Sequence, residues 1–199
     1  MNRIRNGLAG MALVAVATAA GAATTLAGNL GDPGNGALVG SDLGAPDFTD
    51  DNAIANNVAL YDFTVAHGGA VSVVSTGFAG GGVDPYFSLF SGTGATATFV
   101  DSNFVQATST GGDFTWTGSL AAGSYEIALG SFENMSFAEN GGSDTLGDGF
   151  IGLGDPNSLG DGSYSLTLTT PVPEPSGTWL MAFGLAVVAT RAWRGRRGA

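Results

Sequence analysis

The sequence predicts an all-β protein, an antiparallel β-sandwich or jelly roll that is flanked by one helix at each end. Short runs in the middle of the chain alternate apolar and polar residues with a period of two. Gly-rich turns separate these runs, and glycine accounts for 34 of the 199 residues. The long apolar stretches lie near the two ends, where we expect helices at 3–20 and 177–193. Short alternating runs between turns are typical of antiparallel sheets packed face to face.

The alternating runs define the candidate strands. In "YDFTV", Tyr61, Phe63 and Val65 fall on one face, as expected for a strand with one buried side. The run "YFSLF" at 86–90 is apolar on both sides, which is typical of a central strand. In "SYEIALGSF" the alternation directs Glu126 toward solvent. The predicted strands lie at 61–65, 70–75, 86–90, 95–100, 113–117, 124–132 and 163–169.

Residues 1–22 have the features of a secretory signal peptide. Two arginines precede an apolar stretch, and small residues follow it. Ala20 and Ala22 fit the small-x-small rule, so signal peptidase is expected to cut after Ala22 or Ala23. The alternative is a retained anchor, but the apolar run is shorter than the ~20 residues that a spanning helix needs. The sequence then divides into an irregular Gly/Asp-rich lead-in at 23–57, a sandwich domain at 58–170 and a tail at 171–199.

Charge is distributed very unevenly. All 17 acidic residues lie between Asp32 and Glu174, whereas the six basic residues are arginines near the two ends. The body of the chain therefore has no Lys or Arg with which to bind nucleic acid or anionic lipid. The absence of cysteine excludes thiol chemistry and disulfides, and a single histidine excludes a histidine- or cysteine-based zinc site.

The tail has three parts in a fixed order. A proline-broken segment precedes 16 residues, Pro175 to Thr190, which would reach about 24 Å as a helix. That length is slightly short of a ~30 Å hydrocarbon core, but snorkelling arginines make a membrane span plausible. The positive-inside rule places the basic cluster in the cytoplasm, so the acidic domain lies outside. This cluster consists of Arg191, Arg194, Arg196 and Arg197.

The last 28 residues resemble the PEP-CTERM sorting signal of exopolysaccharide-producing Gram-negative bacteria. The resemblance lies in Val172, Pro173, Glu174 and Pro175, followed by the apolar helix and the arginine cluster. It implies that exosortase, a membrane cysteine transpeptidase, recognises Pro173, Glu174 and Pro175 and cuts near them. Prolines keep such a segment extended, which suits recognition by a peptidase.

The middle of the chain resembles the pre-peptidase C-terminal sandwich, over roughly 58–169. "YDFTVAHGGAVSVVSTGF", "VDPYFSLFSGTG" and "LAAGSYEIALGSFEN" occur in the order of that module. The resemblance implies a non-catalytic domain with a secretion, attachment or matrix role. The family often has an acidic pair where this chain reads Asp101-Ser102-Asn103, so a metal site there would be weakened.

The residues that could support catalysis have ordinary structural explanations. His67 precedes Gly68-Gly69, a pattern expected in a hairpin turn between two strands. No Gly-x-Ser-x-Gly elbow accompanies it. Glu126 and Glu133 could form the carboxylate pair of a glycosidase, but no basic side chain is available to orient a substrate. We expect no enzymatic activity.

Calcium is the remaining cofactor candidate. Leu-Gly-Asp occurs three times within residues 146–161, and oxygen-rich Gly loops suit a hard cation. The candidate ligands are Asp148, Asp155, Asn157 and Asp161. The spacing matches neither an EF-hand loop nor a nonapeptide repeat, so an ordinary solvated turn is the competing interpretation.

Two functions remain open. The first is a non-enzymatic exported protein, sorted by exosortase to the cell surface or the exopolysaccharide matrix, with a structural or biofilm role. The second is a secreted module that binds calcium or a glycan. Exposure of Phe132, Phe137 and Phe150 beside the acidic loop would favour the second function.

Overall fold

A computed structural model describes residues 21–35, 54–106, 112–139, 144–152, 154–172, 181 and 184–186. Eight strands dominate this part of the chain. They are β1 (Gly21–Asn29), β2 (Ala59–Val65), β3 (Gly69–Thr76), β4 (Pro85–Ser91), β5 (Thr98–Ser102), β6 (Thr115–Leu120), β7 (Gly123–Ser131) and β8 (Ser163–Pro171). The helical elements are short: α1 (Asn103–Gln106) and 3-10 turns at Ile54–Asn56, Phe78–Gly80, Leu146–Asp148 and Pro156–Ser158.

The strands form two antiparallel four-stranded sheets. Sheet I has the order β1-β8-β3-β6, and sheet II has the order β2-β7-β4-β5. All pairings are antiparallel, and β5 pairs with β4 through a register shift between Leu89 and Phe90. The fold class predicted from the alternating runs is confirmed in this coarse form, as two antiparallel sheets consistent with a sandwich.

The main core lies between the two sheets. Val71 and Val73 of β3 and Leu166 and Leu168 of β8 point inward from sheet I, as the period-two pattern predicts. Phe87 of sheet II packs in the same cluster, where its ring stacks on Phe114 and lies tilted against Trp116. Burying side chains of this size is the principal stabilising contribution of the sandwich.

Sheet II is also covered on its outer face. A second cluster joins Tyr86 and Phe90 of β4 to Leu146 and Phe150 of the segment that follows β7. Consequently β7 is buried on both faces, and Glu126 is only 5 % exposed. The prediction that Glu126 faces solvent is wrong, because alternation along one strand does not reveal that a distant loop covers its outer face.

The lead-in predicted as irregular over 23–57 begins instead with a strand. Residues 21–29 form β1, which pairs with β8 over its whole length at the edge of sheet I. Its first five residues are exposed, and Leu26 is its only large side chain directed toward the core. Backbone pairing rather than side-chain burial therefore defines this strand, which explains why the apolar pattern did not indicate it.

Two local predictions also differ from the structure. The segment around His67 is not a hairpin, because β2 belongs to sheet II and β3 to sheet I. His67 is exposed at this crossing between the sheets. The strand predicted at 95–100 begins at Thr98 and continues to Ser102, since residues 92–97 form the turn that precedes it.

Candidate functional site

The end of β8 is where the folded domain gives way to the tail. β8 pairs with β3 from Ser165 to Thr169 and with β1 from Ser163 to Pro171. Thr170 and Pro171 thus pair with β1 alone. Val172 follows directly and is half-buried.

The start of β1 lies beside this end of β8. The register pairs Gly21 with Pro171, Ala22 with Thr170 and Ala23 with Thr169. These three pairs are called the terminal ladder below. Of the predicted signal-cleavage residues, Ala22 and Ala23 are exposed within the ladder, while Ala20 lies outside the described residues. The last residues of β8, which directly precede the sorting motif in sequence, therefore lie beside two of the predicted signal-cleavage residues at one end of sheet I.

β1 packs closely against β8 at two glycines. A Cβ atom on Gly21 would collide with Cγ2 of Thr169 and would approach the carbonyl oxygen of Thr170 to 3.3 Å. At the opposite end of β1, a Cβ on Gly28 would lie 2.6 Å from the hydroxyl of Tyr164. Because glycine has no Cβ atom, the backbone of β1 can approach the side chains of Thr169 and Tyr164 on β8 closely.

The remainder of the predicted sorting signal lies mostly beyond the described residues. Pro173, Glu174 and Pro175 are outside them, and so are Arg191, Arg194, Arg196 and Arg197. Residues 181 and 184–186 are helical. Across the described ranges, no helix is both long enough and apolar enough to cross a membrane. The helix expected at 3–20 lies outside the described residues.

The candidate calcium ligands are each engaged in their own turns. The Asp155 carboxylate accepts hydrogen bonds from the backbone and side-chain nitrogens of Asn157, at 2.9 and 2.8 Å. The Asp161 carboxylate accepts from the Ser163 backbone and hydroxyl, at 2.9 and 2.6 Å. Asp148 caps the turn that begins at Thr145.

No group of three or more Asp, Glu, His or Cys side chains converges in a metal-binding arrangement within the described residues. Asp155 and Asn157 are brought together, but Asp148, Asp155 and Asp161 are not. The calcium site stays a prediction.

The aromatic residues near this loop do not form the exposed patch expected of a binding module. Phe137 and Phe150 are 2 % and 0 % exposed, and Phe132 is half-buried. Phe150 belongs to the cluster that covers sheet II. These rings stabilise the fold and leave no aromatic platform for a glycan at this position.

The sequence did not predict that buried and half-buried carboxylates accept hydrogen bonds that fix the positions of loops. With no Lys or Arg between residues 6 and 190, carboxylates in the described part of the chain accept from uncharged donors, which are backbone N–H groups, hydroxyls, an indole and an amide. Asp84 accepts from the Gly112 backbone at 2.6 Å, and Glu126 from the Gly94 backbone at 2.6 Å. The neighbouring Gly-rich turns are the only sequence signal for this arrangement, and they do not identify the partners.

A buried polar network links β4, β5 and the cover of sheet II. Glu139 accepts hydrogen bonds from the hydroxyls of Tyr86 and Ser102. Burial, reinforced by the negative charge of Glu139, raises the pKa of the Tyr86 phenol well above its ordinary value. The phenol therefore stays protonated and serves as a donor. The network joins β4 and β5 to the segment that covers the outer face of sheet II.

Comparison with known proteins identifies the tail. The family model of the PEP-CTERM protein-sorting motif matches residues 171–197, which confirms this part of the predicted resemblance. The match begins at Pro171, the last residue of β8. No family match supports the resemblance to the pre-peptidase C-terminal sandwich. No curated protein and no solved structure matches the chain at a significant level. The motif is the exosortase recognition signal and implies an exported, membrane-anchored precursor that exosortase processes.

Proposed function

We propose that this chain is a non-enzymatic structural protein of the cell surface or exopolysaccharide matrix of a Gram-negative bacterium. Exosortase would recognise Pro173, Glu174 and Pro175 while the arginine cluster remains in the cytoplasm. The cut would detach the sandwich from its membrane tail. The observation behind this proposal is the junction itself, where the match to the sorting motif begins at the last residue of β8, the final strand of the sandwich.

The chemistry of the domain supports a structural role. Its carboxylates accept hydrogen bonds from loop backbones, and its aromatic rings fill two cores. A surface free of Lys and Arg gives the exported domain a strong negative charge. Mutual repulsion of such domains favours solubility outside the cell.

The sorting step is tested by fractionating cells that have or lack exosortase. In cells with the enzyme, we expect the sandwich outside the inner membrane and without its tail. A variant with Pro173→Ala, Glu174→Ala and Pro175→Ala should stay membrane-bound at full length, as the wild type does without exosortase.

The matched control changes one exposed acidic residue and one exposed proline elsewhere, in the variant Asp62→Ala with Pro156→Ala. This control should be processed like the wild type. Identical processing of the wild type with and without exosortase would refute the proposal.

A further inference from the structure

The terminal ladder joins two segments that different peptidases are expected to cut. Thr170 and Pro171, the last two residues before Val172, pair with Ala22 and Gly21 and with no other strand. A signal-peptidase cut after Ala22 or Ala23 removes both Gly21 and Ala22. The cut that releases the N-terminus therefore also removes the strand partners of the residues that precede the sorting motif.

We propose that signal-peptide cleavage makes the sorting motif accessible to exosortase, so that signal peptidase cuts first and exosortase second. This inference rests on the proposed function. Before the first cut, Val172 alone separates the last paired residue, Pro171, from Pro173. After it, the last paired residue is Thr169, which β3 still holds through Ser72.

Loss of Gly21 and Ala22 lengthens the stretch without strand pairing in front of the motif from one residue to three. Two more extended residues add roughly 7 Å of reach. Peptidases cut segments that can leave the folded structure, and the cutting rate follows the population of the open form. A sandwich held close to the motif hinders the approach of a membrane-bound peptidase until that pairing is lost.

The composition of β1 suits a strand that is shortened during maturation. Residues 21–25 are all exposed, so their removal or release uncovers little core. Farther along, Leu30 is fully buried, and the Asn29 side chain donates to the Asp161 carbonyl at 2.9 Å. The second half of β1 therefore stays anchored when the first half is lost.

The test follows tail removal in the full-length chain, tagged after Ala199, in cells that contain exosortase. Ala22→Leu with Ala23→Leu places large residues at the expected cleavage positions and keeps Gly21 attached. We expect tail removal to slow at least about fivefold, the factor that corresponds to one net backbone hydrogen bond. A flexible five-residue Gly-Ser insertion between Val172 and Pro173 should restore the rate in this variant.

Two controls make the result specific. The same insertion between Ala66 and His67, in the exposed crossing between the sheets, should not restore the rate. Adding Gly21→Val to the blocked variant should restore it partly, because the new side chain would collide with Thr169. Gly34→Val, at a glycine whose Cβ would have nothing within 4 Å, should leave the rate low.

Equal rates of tail removal with and without signal cleavage would overturn the inference. A slow rate that the insertion at Val172 does not restore would overturn it as well, since tethering by the retained signal would then be the cause. The proposed function fails separately, if the wild-type tail is removed equally with and without exosortase.

Discussion

The indole nitrogen of Trp116 donates a hydrogen bond to the carboxylate of Asp101 across the sandwich, at 2.9 Å. Trp116 belongs to β6 of sheet I and Asp101 to β5 of sheet II, so the bond ties one sheet to the other. Trp116 is 2 % exposed. The bond between the two sheets therefore joins a carboxylate to an uncharged indole donor.

Replacing Asp101 should therefore loosen the sandwich. We expect Asp101→Ala to lower the free energy of unfolding by about 2 kcal/mol, because it leaves the buried indole N–H without this acceptor. Asp101→Asn keeps a carbonyl oxygen and should cost less. Denaturant titration measures both. In a double-mutant cycle, Trp116→Phe should reduce the effect of Asp101→Ala; full additivity would mean that the hydrogen bond contributes nothing.

A second prediction concerns Gly154, which packs against the backbone of the first 3-10 turn. A Cβ atom at this position would overlap the carbonyl group of Ala55, and the Gly154 N–H donates to the Asn56 side chain at 2.9 Å. Because the clash is with backbone, Gly154→Ala should destabilise the domain by about 3 kcal/mol. Gly80→Ala, where a Cβ would have nothing within 4 Å, is the matched control and should change stability by less than about 0.5 kcal/mol. Similar thermal midpoints for the two variants would contradict this packing.

Local sequence patterns were sufficient where one strand buries one face. Val71 and Val73 are buried as their alternation predicts, and so are Leu166 and Leu168. The sorting tail was likewise predictable, because Pro173, Glu174, Pro175 and the features after them are contiguous in sequence.

What remained unpredictable depends on partners far away in the chain. β1 buries almost none of its side chains and exists as a strand because β8 offers a backbone edge some 140 residues later. Glu126 is buried because the segment around Leu146 folds over sheet II. The carboxylates of Asp155 and Asp161 each accept hydrogen bonds from their own turn, and the Leu-Gly-Asp spacing does not indicate those donors. A one-dimensional pattern contains none of these long-range pairings.

The buried hydroxyl of Ser88 offers a stabilising substitution. Ser88 on β4 is 0 % exposed, and its Oγ has no hydrogen-bond partner in the described part of the chain. Ser88→Ala removes an unsatisfied polar group from the second core and should raise the free energy of unfolding by about 1 kcal/mol. Ser131→Ala is the control, because the equally buried Ser131 hydroxyl donates to the Ala55 carbonyl at 2.7 Å. That variant should be destabilised, and a loss of stability in Ser88→Ala would show that its hydroxyl has a partner.

The contribution of Asp161 to the free energy of unfolding should decrease as the pH falls. Hydrogen bonds from the Ser163 hydroxyl, and then from its backbone, hold the pKa of the Asp161 carboxyl below its ordinary value. Because the folded pKa is lowered, the stabilisation is present above the unfolded pKa and is lost as the pH falls through the folded pKa.

Ser163→Ala removes the hydroxyl donor and keeps the backbone one, so the pKa of Asp161 should rise toward the ordinary value. Carbon-detected NMR titration of the Asp161 carboxyl measures the change. Ser165→Ala, one residue of the same type farther along β8, serves as the control and should leave the titration unchanged. If the Asp161 pKa were the same with and without the Ser163 hydroxyl, that hydrogen bond could not be what favours the charged carboxylate in this turn.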